Sequence, residues 1–180
     1  MAILKVSRLG HPLLRPVARD LTPAELQGTE LPRLIEDMLE TMEEYGGVGL
    51  AAPQVHFSLR LFVMRPDPED DATIRVAVNP KITPLGEERT EDWEGCLSIP
   101  DLHGRVSRFA RLRLEALDAR GKRFEEELEG FPARVCQHEH DHVGGVVFLD
   151  RMKGFSTLTF GEEYRRYWSL PGQEKEMKEG

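Results

Sequence analysis

Gln137-His138-Glu139-His140-Asp141-His142-Val143-Gly144-Gly145 is the stretch around which the rest of the chain is organised. His138 and His142 are four residues apart, a spacing that stacks them on one face of an α-helix. Two imidazoles on one face hold a transition metal, and Glu139 stands beside them to handle protons. The H-E-x-x-H pattern therefore predicts metal-assisted hydrolysis. His140 lies about 200° around the helix from His138 and cannot reach the same ion. It is expected at the surface or among the supporting residues. Asp141 is one turn on from His138 but off the metal face, where it is expected to hydrogen-bond a residue that supports the site.

Phe131-Pro132 opens this helix, with proline near its first turn, and Gly144-Gly145 stops it. Val135, His138, Glu139 and His142 share one stripe. Before it, Leu112, Leu114 and Ala116 alternate with Arg111, Arg113 and Glu115, which gives a strand with one buried and one solvated face. Asp118-Ala119-Arg120-Gly121 reads as a turn, and Phe124, Glu126 and Leu128 as the return strand of an antiparallel hairpin. Leu59 to Met64 and Ile74 to Val78 are β-rich runs. The acidic, proline-bearing Arg65–Asp71 loop lies between them. Leu31, Leu34, Ile35, Met38, Leu39, Met42 and Tyr45 recur at three- and four-residue steps, the mark of an amphipathic helix. Thr29 or Glu30 would cap it, Pro32 suits its first turn, and Gly46-Gly47 ends it. Antiparallel strands and helices without βαβ alternation imply an α+β fold, with antiparallel sheets packed around the helix that carries H-E-x-x-H. Gly161 to Trp168 reads as a short helix. Gln173 to Gly180 is charged and expected to fray.

The chain has 180 residues, which fits one domain over 1–180 with room for a real core. Hydrophobic residues make up 39% and charged residues 31%, as in soluble globular proteins. No run approaches the roughly 18 apolar residues of a membrane helix, and the N-terminus lacks the layout of a secretion signal. The formal charge of −8 argues against direct nucleic-acid binding, which calls for a basic surface. Cys96 and Cys136 are the only cysteines. In an acidic chain without a signal they point to a reducing cytoplasm, where a cysteine serves as a ligand, a nucleophile or a small buried hydrophobe.

The histidine pair alone leaves the site one ligand short, since a catalytic metal takes three protein ligands and keeps a position open for water. In the longer H-E-x-x-H-x-x-G-x-x-H pattern the third histidine would fall at residue 148, which is Phe148. Two alternatives stay open. A zinc endopeptidase would use Glu162 or Glu163 downstream, whereas Glu94-Gly95-Cys96-Leu97-Ser98 offers a thiolate upstream. A third stretch, Gly47-Val48-Gly49-Leu50-Ala51-Ala52-Pro53-Gln54, combines small residues that permit close approach with an amide that can donate to an oxyanion.

Taken in order, these three stretches closely resemble the motifs of peptide deformylase. The similarity runs from about Leu9-Gly10-His11-Pro12 to Phe148-Leu149-Asp150. The resemblance implies Cys96, His138 and His142 as ligands of one Fe²⁺, with Zn²⁺, Ni²⁺ or Co²⁺ as substitutes. It implies Glu139 as general acid/base, Gln54 and the backbone N–H of Leu97 as the oxyanion partners, and the backbone of Gly49 as a holder of substrate peptide. The implied reaction removes the N-formyl group from the N-terminal methionine of new polypeptides in the cytoplasm and releases formate. The metal lowers the pKa of a water so that hydroxide attacks the formyl carbon near neutral pH. Formylated nascent chains are the implied partners, with transient ribosome contact. The tail after Asp150 departs from the family, whose long C-terminal helix is not obvious here.

Overall fold

The computed structural model describes residues 2–67 and 69–169. The expected fraying of Gln173 to Gly180 lies outside these residues. The helices are α1 (Pro23–Leu26), α2 (Glu30–Glu44), α3 (Gly130–Val143), α4 (Phe148–Arg151) and α5 (Gly161–Tyr167). The strands are β1 (Gly49–Ala51), β2 (Leu61–Met64), β3 (Arg75–Pro84), β4 (Arg89–Cys96), β5 (Ile99–Phe109), β6 (Arg111–Leu117), β7 (Arg123–Glu129) and β8 (Thr159–Phe160). They form a five-stranded sheet in the order β1-β2-β3-β6-β7 and a three-stranded sheet in the order β4-β5-β8. Every strand pairing is antiparallel, so the architecture is α+β.

The apolar run Leu61-Phe62-Val63-Met64 shows how the larger sheet is built. Successive side chains on a strand point to opposite faces, and here both faces are covered. Leu61 and Val63 pack with Leu31, Ile35, Met38 and Met42 of α2. Phe62 and Met64 pack with Ala133, Val135, Cys136 and Val143 of α3. The sheet is thus sandwiched between α2 and α3, and α3 also touches β5 of the smaller sheet. A third cluster, Ile99, Val106, Val147 and Phe148, joins the smaller sheet to α4. Phe62 is fully buried in the α3-facing core, so Phe62→Ala is expected to cost about 3–5 kcal/mol. Urea unfolding followed by circular dichroism measures it.

Several expectations are met with shifted ends. α2 begins at Glu30, but Thr29 makes no side-chain cap bond. β2 starts at Leu61 because Leu59 is drawn into a bridge with Arg19. α3 starts at Gly130, one residue ahead of Phe131. It stops where Gly144 and Gly145 return their N–H groups to the last-turn carbonyls. Gly145 has φ +75°, and a Cβ there would strike the Arg15 carbonyl, so only glycine fits. The β4–β5 hairpin has no counterpart in the sequence reading. Among the described residues, no helix is long and apolar enough to cross a membrane.

Candidate metal centre

Two elements from distant parts of the chain meet at the site. α3 presents His138 and His142 with ring centroids 5.0 Å apart. β4 ends at Cys96, where the ladder with β5 shifts register and the chain turns tightly through Leu97-Ser98. That turn brings the Cys96 Sγ to 3.3 Å from His142 Nε2. The donor atoms of Cys96, His138 and His142 lie within 4.8 Å of one another. One thiolate and two imidazoles suit a divalent transition metal and leave a coordination position for water. His140 is outside the cluster; its Nε2 lies 3.5 Å from an Arg60 guanidinium nitrogen. Glu162 and Glu163 stand exposed on α5 and do not join the cluster.

A buried ionic chain fixes the cluster from behind. Glu94, two residues before Cys96, uses all four of its acceptor positions. Its Oε1 accepts from Arg108 Nε at 2.9 Å and from Arg134 at 2.8 Å. Its Oε2 accepts from Arg108 at 2.9 Å and contacts His138 Nδ1 at 2.9 Å. With Nδ1 so occupied, Nε2 is the His138 nitrogen left for the cluster. Arg108 continues to Asp141, and Arg151 grips Asp141 with two bonds of 2.6 and 3.0 Å. Burial opposes the charge on Glu94, but hydrogen bonds from His138 and Arg108 outweigh it and hold the carboxyl well below the usual range. Glu94, Arg108 and Arg134 were not singled out as functional in the sequence. Glu94 lies two residues before Cys96, and that proximity is the signal the sequence offers.

Glu139 is buried beside the cluster, and its Oε2 has no hydrogen-bond partner among the described residues. Burial pushes its carboxyl up to about 7, against the pull of charge on His138 and His142. The carboxylate lies against Gly49, where any Cβ would collide with it. The sequence Gly47-Val48-Gly49 therefore sets how close β1 comes to α3. Gln54 sits in a 3-10 turn (Ala52–Val55) directly after β1. Its Oε1 accepts the Ala51 N–H at 2.7 Å, which orients the amide. Its Nε2 then points to Ser98 Oγ at 3.2 Å and toward the Cys96 sulfur at 3.7 Å. Leu97 packs over Gly47 and lines the same cavity. That cavity holds about 980 Å³ and runs past Gly49, Gln54, Cys96, His138 and Glu139.

A family profile described as Polypeptide deformylase matches residues 3–157. The chain belongs to the peptide deformylase family. It is 40% identical over 177 residues to the peptide deformylase of Psychrobacter cryohalolentis, covering 98% of this chain and 94% of that one. The crystal structure of the Thermotoga maritima peptide deformylase superposes with a TM-score of 0.79 at 39% identity, covering 86% of this chain and all of that one. The class I type b peptide deformylase of Acinetobacter baumannii, solved with Met-Ala-Ser bound, gives a TM-score of 0.78 at 37% identity, with 84% and 100% coverage. The activity is that of a deformylase: a hydrolase on a linear amide that takes the N-formyl group from formylmethionyl peptides during protein biosynthesis. The endopeptidase alternative finds no support in these relatives.

Proposed function

We propose that residues 1–180 form one catalytic domain, organised by the H-E-x-x-H helix, in which Cys96, His138 and His142 hold one Fe²⁺. Zn²⁺, Ni²⁺ and Co²⁺ are replacements the same donors would accept. The observation that carries this reading is the convergence of three donor atoms within 4.8 Å, with buried Glu139 beside them. The donor chemistry fits the ion, and Glu94 already fixes the His138 tautomer on the far side. When bound, the ion supplies Lewis acidity that makes a water deprotonate near neutral pH.

The chain's own residues do the rest. Glu139 takes the proton of the attacking water and hands it to the departing amine. Gln54 Nε2 and the Leu97 N–H face the formyl oxygen as it gains charge. The backbone of Gly49 pairs with the substrate peptide, and apolar cavity walls such as Val48, Phe131 and Val135 receive the methionine side chain. The Acinetobacter relative was solved with Met-Ala-Ser bound, which supports a short peptide as ligand. The substrates are formylated nascent chains met in the cytoplasm, with transient ribosome contact. The test is anaerobic purification, metal analysis and formate release from formyl-Met peptides. Iron at one equivalent with formate release is expected; a metal-loaded protein that releases no formate overturns the reading.

Gln54 provides a sharper test of the oxyanion role. Its donor strengthens only as charge develops, so it lowers the barrier without tightening ground-state binding. Gln54→Ala is expected to lower kcat and kcat/KM by similar factors, about 10² to 10³. Steady-state kinetics that show a raised KM at unchanged kcat contradict the role.

A further inference from the structure

Ser98 closes the Glu94-Gly95-Cys96-Leu97-Ser98 stretch and has no part in the roles given above. It sits in the turn between β4 and β5, two residues after Cys96, and it is fully buried. Its Oγ accepts a hydrogen bond from Gln54 Nε2 at 3.2 Å. A primary amide carries one acceptor oxygen and two N–H donors, so partners at both ends decide its orientation. The Ala51 N–H donates to Gln54 Oε1 at 2.7 Å and fixes the oxygen end. Ser98 takes one of the two N–H groups at the other end. The second N–H is left for the cavity, on the side where Nε2 lies 3.7 Å from the Cys96 sulfur.

The spacing of Gln54 and Ser98 is itself held. Residues 7–9 run past both of them. The Ser7 N–H donates to the Gln54 carbonyl at 2.7 Å, and the Leu9 N–H donates to the Ser98 carbonyl at 2.8 Å. This short strap ties the 3-10 turn after β1, in the larger sheet, to the turn after β4, in the smaller one.

We propose that Ser98 is a positioning residue for the oxyanion site: its hydroxyl holds the Gln54 amide so that the remaining N–H meets the formyl oxygen. The last torsion of a glutamine side chain is broad, so an anchor at Oε1 alone leaves the amide free to swing. Without the hydroxyl, one buried N–H of Gln54 loses its acceptor. A buried donor left unpaired is costly, and the acceptor already within reach is the Cys96 sulfur. The amide then turns toward the sulfur and away from the formyl oxygen.

This inference rests on the oxyanion role of Gln54, and the two fail separately. Wild-type protein, Ser98→Ala, Gln54→Ala and the double variant are compared on formyl-Met-Ala-Ser, with metal content measured for each. Ser98→Ala should keep its metal and lower kcat about tenfold, with KM within about twofold of wild type, because a misaligned donor is missed only as charge develops. In the Gln54→Ala background the same substitution should change kcat by less than about twofold, because the serine acts through the amide. A serine that only shapes the turn gives losses that multiply instead. If Ser98→Ala does not fold, Ser98→Gly, which also lacks the hydroxyl, is carried through the same cycle. Native kcat in Ser98→Ala, a loss carried by KM, or losses that multiply in the double variant overturns the proposal. Native kcat in Gln54→Ala overturns the oxyanion role and this inference with it, whereas wild-type protein that releases no formate overturns the deformylase reading.

Discussion

Cys96→Ser is expected to lose its metal and, with it, deformylase activity. The substitution is nearly isosteric, so the β4–β5 turn and its ladder to Ile99 should survive. What changes is donor chemistry: a thiolate is a soft anionic ligand, whereas a serine hydroxyl stays neutral near pH 7. The site is built to keep the sulfur ionised. Burial works against the thiolate, but charge on His142 and hydrogen bonds from His138 and His142 outweigh it and hold Cys96 well below an ordinary thiol. Substituting a partner behind a ligand typically costs about 10- to 100-fold in metal affinity, and loss of a ligand should exceed that. Metal analysis after gel filtration reads the outcome; full occupancy in Cys96→Ser would remove the cysteine from the ligand set. Cys136 is the internal control. It is buried in the α3-facing core, and burial pushes its thiol up to about 12. Cys136→Ala should therefore keep the metal. In chelator-treated protein at pH 8, iodoacetamide should label Cys96 well before Cys136.

The parts of the molecule legible in the sequence are those whose pattern is local. α2 and α3 show three- and four-residue periodicity bounded by glycines, and β6–β7 shows two-residue alternation around a short turn. Each of these is found close to where it was expected. β4 escaped because it carries almost no apolar alternation: Arg89-Thr90-Glu91-Asp92 is exposed throughout. Its buried position holds Glu94, a charge that becomes tolerable only once Arg108 and Arg134 close on it. Arg134 sits in a helix and has the type of a surface residue, yet it is 5% exposed, bonded to Glu94 and to carbonyls of β4 and β5. No local window contains those partners. The same limit applies to the third member of the cluster. Residue type alone leaves Cys96, Glu162 and Glu163 open, and the three-motif resemblance points to Cys96; the fold sets the Cys96 sulfur beside His142 and leaves both glutamates exposed.

Glu139→Gln is expected to keep the metal and lose turnover by about 10² to 10⁴. Glu139 follows His138 directly, so on the helix it points about 100° away from that histidine. Its carboxylate is directed at β1, where it lies against Gly49. Glutamine preserves this packing, because its amide has the size and shape of the carboxylate. It cannot, however, accept a proton from water and return it to the leaving amine. The expected signature is native metal content, near-native KM and a collapsed kcat, since the proton transfers belong to the transition state. Gly49→Ala gives the complementary case: the carboxylate remains, but a Cβ occupies its place, so kcat should fall although every ionisable group is intact. Two results decide between the roles open to Glu139. A Glu139→Gln protein that purifies without metal makes the glutamate a ligand, and one that turns over at the native rate removes it from the chemistry altogether.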